Sequence, residues 1–194
     1  MSQPSDRSTD SNAAAAGRRR FEALCLPYRA DVYRFLFWLC RNRALTDDVM
    51  QETLLRAWRS IDSLSDEKAA RPWLLTIARR ELARTFERKR LETVDLDEVA
   101  ELPELGHSQG QSAEVDEMRR AIFQLEPTYR EPLVLQVLFG YSTEEIATQL
   151  EISVPAVLTR LFRARNLLRR KMLGQHNGEG VGQSVDESDD DELS

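Results

Sequence analysis

From Arg18 onward, large apolar residues recur at intervals of three and four, the spacing of helices with one buried stripe. Phe21, Leu24, Cys25, Tyr28, Val32, Phe35, Leu36 and Leu39 mark the first run. It reads as a helix pair or as one long helix bent near Pro27, whose missing N–H disturbs a continuous ladder. Tyr28, Tyr33, Phe35, Phe37 and Trp38 are more aromatic rings than one thin stripe needs, and they are expected mostly in a core. A second helix is predicted to begin at Thr46, whose hydroxyl can cap the first turn, with Asp47 and Asp48 beside the positive end of the helix dipole. Val49, Thr53 and Ala57 form its buried stripe, flanked by Leu54 and Trp58, which leaves Asp48, Gln51, Glu52 and Arg56 outward. After a polar connection, Pro72 suits the first turn of a third helix that buries Trp73, Leu74, Ile77, Ala78 and Leu82.

The helical spacing resumes at Met118. One helix runs to Leu125, Pro127 opens the next, Gly140 is its stop, and Ser142 or Thr143 caps the helix after it. From Ser142 to Arg170 the pattern is two helices around a tight turn. Ile146, Ala147 and Leu150 line the first, Ile152 sits in the turn, and Val157 and Leu161 line the second. The second helix also carries Arg160, Arg163, Arg165, Arg169 and Arg170. This is the layout of a helix-turn-helix, in which one helix braces and the next enters the major groove; a helical hairpin with a solvated basic face has the same pattern. With no β-alternation along the chain, the expected fold is all-α. It comprises two small helical domains, 18–90 and 118–173, joined by a flexible linker at 91–117. A disordered arm at 1–17 and a disordered tail at 174–194 flank them.

Charge changes this picture more than composition does. The formal net charge is −6, but it is segregated. Residues 91–117 hold nine carboxylates and no lysine or arginine, and 174–194 hold seven and none, while both helical blocks are net basic. Such asymmetry points to a polyanionic partner. On the third helix Arg79, Arg80, Arg84, Arg88, Lys89 and Arg90 have few acidic neighbours in sequence and repel one another unless an anion lies near. Cys25 and Cys40 lie in apolar helical sequence with no CxxC partner and are expected as buried, reduced packing residues. No apolar run approaches the roughly 18 residues that span a bilayer, and the first 20 residues lack the apolar core of a signal peptide. A cytoplasmic protein without membrane insertion is expected. No phosphate loop, dinucleotide fingerprint, HExxH or GxSxG motif is present, so neither catalysis, nor a cofactor, nor a metal is expected.

The motifs together resemble the sigma-70 family of bacterial transcription initiation factors, in its compact extracytoplasmic-function group. TDDVMQETLLRAWR is similar to the family's acidic helix that docks on core RNA polymerase, and RPWLLTIARRELAR to the following helix, which melts and reads the −10 element. LEPTYREPLVLQVLFGYSTEEIATQLEISVPAVLTRLFRAR resembles the domain that reads the −35 element. The resemblance implies that Asp48, Gln51 and Glu52 contact the polymerase β′ subunit, and that β is also a partner. It implies that the loop from Ser63 to Ala70, with Ser63 and Lys68, captures a flipped base, at a cost of a few kcal/mol in unstacking. Arg71, Arg79, Arg80 and Arg84 would then hold the −10 strand, with Trp73 more a core residue than a stacking platform. Pro155, Ala156 and Thr159 would face the −35 groove, while Arg160, Arg163 and Arg165 contact phosphates or base edges. Promoter DNA and core polymerase are the implied partners, an anti-sigma factor a further one, and the free chain is expected to be a monomer.

Two departures stand out. Glu151 occupies the turn position commonly filled by glycine, where a left-handed backbone costs a non-glycine residue about 1 kcal/mol or more. Pro155-Ala156-Val157-Leu158 replaces a common Gly-Thr-Val-Lys, and Leu158 in place of a cation lowers the expected salt slope by about one. The acidic tail either competes with DNA for a basic surface or serves solubility. The rival reading of the whole chain is a stand-alone helix-turn-helix regulator binding half-sites as a dimer, which leaves the 18–90 block without a role.

Overall fold

The computed structural model describes residues 6–92 and 113–176, and every regular element among them is helical. Helix α1, Asp6–Cys25, begins inside the stretch expected as a disordered arm. The run Ala13-Ala14-Ala15-Ala16 supplies the residue of highest helix propensity there. A 3-10 turn at Leu26–Tyr28, with Pro27 in its first positions, bends the chain into α2, Arg29–Cys40. Arg41 ends α2 in the left-handed region (φ 59°), its N–H bonded to the Phe37 carbonyl at 3.1 Å.

Helix α3, Arg43–Ser60, starts earlier than expected because Asn42, not Thr46, is the cap; its side chain accepts from the Leu45 N–H at 2.8 Å. Thr46 is fully buried, and its hydroxyl donates back to the Asn42 carbonyl at 2.7 Å. Asp47 and Asp48 therefore lie beyond the first turn, where the dipole is weaker. Two 3-10 turns, Ile61–Ser63 and Glu67–Ala69, lead into α4, Ala70–Glu92, which buries Leu74, Leu75, Ala78 and Leu82. Trp73 and Ile77 are partly buried against the same core.

In the second block, α5 spans Ala113–Phe123 and α6 spans Pro127–Phe139. Gly140 ends α6 at φ 68°, donating to the Gln136 carbonyl at 3.1 Å. Ser142 then caps α7, Thr143–Leu150, in a reciprocal box: its hydroxyl accepts from the Glu145 N–H at 3.2 Å, and the Glu145 carboxylate accepts from the Ser142 N–H at 2.8 Å. Helix α8, Val154–His176, completes the fold. The acidic linker between α4 and α5 and the acidic tail beyond α8 lie outside the described residues.

The two helical blocks pack against each other around one continuous core. Phe35 of α2 meets Phe139 of α6 edge-on at 6.0 Å, Phe37 meets Phe123 edge-on at 5.8 Å, and Trp38 stacks on Phe123 at 4.7 Å. The surplus aromatics of the first block thus serve the second, which local periodicity cannot reveal.

Candidate nucleic-acid interface

On α3, Asp48, Gln51 and Glu52 all face solvent at helical spacing. Leu55, 48% exposed, falls on the same face, and Trp58, 41% exposed, borders it while its ring packs edge-on against Phe21 at 5.3 Å. In the sequence Leu55 is marked only by its position, i+4 from Gln51 and out of phase with the buried stripe.

The residues expected at the −10 strand divide into two groups. Ser63 and Lys68 are exposed on the loop between α3 and α4. Ser63 donates to the Ser60 carbonyl at 2.6 Å, and the Lys68 N–H is capped by Asp66 at 2.9 Å, so the loop backbone is held from within. Arg84 is exposed and pairs with Glu81 at 3.0 Å. Arg71, Arg79 and Arg80 instead point into the junction between blocks. Arg71 lies 2.8 Å from Asp31 and over the rings of Phe139 and Tyr141, at 5.0 and 5.7 Å. Arg79 pairs with Glu131 of α6 at 3.0 Å, and Arg80 with Glu151 of the α7–α8 turn at 2.8 Å. For Arg79 and Arg80 the anion is supplied, in this arrangement, by the second block's own carboxylates, whereas Arg71 pairs with Asp31 of its own block.

Other junction groups carry no such signal in the sequence. The Gln149 amide, almost fully buried, donates to the Pro72 carbonyl at 3.1 Å and to the Thr76 hydroxyl at 2.9 Å. Arg130, 3% exposed, donates to the Phe123 carbonyl at 2.8 Å and to the Leu39 carbonyl at 2.9 Å, tying α5, α6 and α2 together. Burial, helped by the nearby Arg41 charge, pulls the Arg130 guanidinium down to about 10. Burial pushes the Glu131 carboxyl above its ordinary value, with Arg79, Arg160 and Arg130 pulling the other way. The hydrogen bond from Arg80 holds Glu151 below its ordinary value. Cys25 and Cys40 are buried free thiols pushed up to about 11 by desolvation.

The second block forms the expected helix-turn-helix. Ile146, Ala147 and Leu150 of α7 pack on Val157, Leu161 and Ala164 of α8, all buried. Glu151 makes the turn in the left-handed region at φ 57°, and the Ile152 N–H closes it on the Ala147 carbonyl at 3.0 Å. On α8, Pro155 and Thr159 are exposed, Ala156 and Arg160 are half-buried, and Arg163 and Arg165 are exposed. Arg163 reaches the Tyr129 hydroxyl at 3.5 Å, and Arg165 hydrogen-bonds Gln136. Arg160 lies on the side of Glu131. Leu158 and Phe162, 53% and 66% exposed, project from the outer face.

A basic helix-turn-helix packed on a second helical block with an acidic outer face defines a two-part transcription factor. The family model described as Sigma-70 region 2 matches residues 24–92, and the one described as Sigma-70, region 4 matches residues 116–168. The chain belongs to the sigma-70 family, in its ECF group, and is a promoter-directing sigma factor. ECF RNA polymerase sigma factor SigL of Mycobacterium tuberculosis (strain ATCC 25618 / H37Rv) is 32% identical over 163 residues, spanning 82% of this chain and 92% of the relative. SigX of Bacillus subtilis (strain 168) is 28% identical, spanning 78% and 83%. Among solved structures, the sigma factor RpoE from Bartonella quintana, in complex with the anti-sigma factor NepR, is similar with a TM-score of 0.67 and 25% identity. That match covers 79% of this chain and 96% of RpoE.

Proposed function

We propose that the chain associates with core RNA polymerase through the α3 face of Asp48, Gln51 and Glu52, and through it directs initiation at promoters read at two points. The loop with Ser63 and Lys68, together with Arg71, Arg79, Arg80 and Arg84, takes the −10 strand. Pro155, Ala156, Thr159, Arg160, Arg163 and Arg165 of α8 take the −35 duplex. The chain performs no catalysis of its own and acts in the cytoplasm. Because the similar sigma factor RpoE is found in complex with the anti-sigma factor NepR, an anti-sigma factor is a fitting further partner.

The observation that carries this reading is the pairing of Arg79 with Glu131 and of Arg80 with Glu151. Cations suited to a nucleic-acid backbone sit on one block, and the carboxylates that occupy them sit on the block that carries the helix-turn-helix. Promoter DNA and those carboxylates compete for the same guanidinium groups, so polymerase must part the blocks for both grips to form. A stand-alone dimeric regulator gives the α3 face nothing to do. Transcription in a purified system, with core polymerase alone and with the chain added, tests the proposal.

A further inference from the structure

Resting on the promoter-reading role of α8, we infer that its outer face reads thymine by apolar contact with the C5-methyl group, with Leu158 and Phe162 as the specificity-determining residues. At 3.6 residues per turn, Pro155, Leu158, Thr159 and Phe162 fall within an arc of roughly 100°, nearly opposite the buried Val157, Leu161 and Ala164. Three of the four offer no hydrogen-bonding group outward, and the fourth, Thr159, offers an acceptor but no donor. Proline has no N–H, Leu158 and Phe162 are hydrocarbon, and the Thr159 hydroxyl donates to the Pro155 carbonyl at 2.9 Å, which leaves its methyl group free to face out.

That composition decides which base the strip can recognise. In the major groove, adenine, guanine and cytosine present only hydrogen-bonding groups, whereas thymine adds a methyl group. Leu158 and Phe162, which carry neither donor nor acceptor, discriminate only through that methyl. The occupant is DNA because exposed cations border the strip: Arg163 along one edge, Arg165 along the other, and Arg169 at its C-terminal end, placed for phosphates on either side of a groove. Leu158 and Phe162 keep this exposure although the two blocks are packed together, so none of the described residues covers the strip. Leu158 thus exchanges a charge contact, which is blind to sequence, for one that reads it.

The test uses the full chain bound to core polymerase of the same organism. Duplexes are selected from a random library, and the recovered upstream element is resynthesised with deoxyuridine for thymidine, which keeps base pairing and removes only the C5-methyl. The expected result is about fourfold weaker binding per contacted methyl, with an unchanged salt slope, and little or no penalty in the Leu158→Ala/Phe162→Ala variant. These side chains are exposed, so the variant folds; its circular dichroism should match the parent. Equal affinity for thymine and uracil duplexes, or an undiminished uracil penalty in the variant, overturns the methyl reading while leaving promoter selection intact. A variant that loses polymerase association or self-association but keeps the uracil penalty assigns the strip to a protein partner and likewise overturns it. Failure to select any sequence overturns the promoter-reading role and this inference with it.

Discussion

Arg130 shows how one side chain joins the two blocks. A guanidinium buried without a carboxylate in hydrogen-bonding contact is costly, as its displacement to about 10 records, yet it supplies both donors that the buried carbonyls of Leu39 and Phe123 require. Arg130→Met preserves much of the volume and removes the donors. Each stranded carbonyl costs about 1–3 kcal/mol, partly offset by relief of the buried charge. The variant should lose about 2 kcal/mol in denaturant unfolding, and an unchanged midpoint would show that water replaces the donors. Nothing in the sequence marks Arg130 for this role: it lies between Tyr129 and Glu131 in the first turns of α6, and its acceptor on Leu39 lies 91 positions away. Leu158 stood out in the sequence as an apolar residue where a cation is common, whereas Phe162, likewise out of phase with the Val157–Leu161 stripe, is an exposed apolar residue of a kind common enough to pass unnoticed.

The helices themselves were the most legible level, because stops and caps are local. Gly140 ends α6 and Pro27 breaks α1 from α2, as their backbone preferences dictate. The choice between Ser142 and Thr143 is decided by the reciprocal bond with Glu145, three residues on. Ser142→Ala removes the accepting oxygen and should cost about 1 kcal/mol, read as a lower thermal midpoint with the helix-turn-helix losing amide protection first; equal protection would show that the cap does not hold the motif. Thr46 misled because two capping residues lie four apart and the earlier one, Asn42, lengthens the helix. At the α7–α8 turn, Glu151 accepts the left-handed backbone that glycine would adopt without strain. The Arg80 contact gives that otherwise unfavourable residue an interaction glycine lacks.

At the scale of the molecule, the packing of the blocks depends on contacts that no periodicity encodes, and the excess of aromatics in α2 was the only trace. The two carboxyls that pair across the junction titrate in opposite senses, Glu131 favouring its neutral form because it is buried and Glu151 its charged form because Arg80 bonds it. Glu131 is raised, so its contribution to closure is full below the ordinary carboxylate value and is lost as pH rises through its folded value. Glu151 is lowered, so its contribution is present above the ordinary value and is lost as pH falls through the folded one. Closure, followed by the distance between labels on the two blocks, should be strongest near the ordinary carboxylate value and weaken on either side. Glu131→Gln should abolish the alkaline limb and Glu151→Gln the acid limb; a profile that neither variant alters would separate the bridges from closure. The most direct measurement is run-off transcription from a genomic promoter library with purified core polymerase. Transcripts are expected from a defined set of start sites only when the chain is present, and they should be lost when Asp48, Gln51 and Glu52 are replaced by lysine. Transcripts that are the same with and without the chain, or tight promoter binding by the chain alone with no effect on polymerase, would contradict the promoter-directing role.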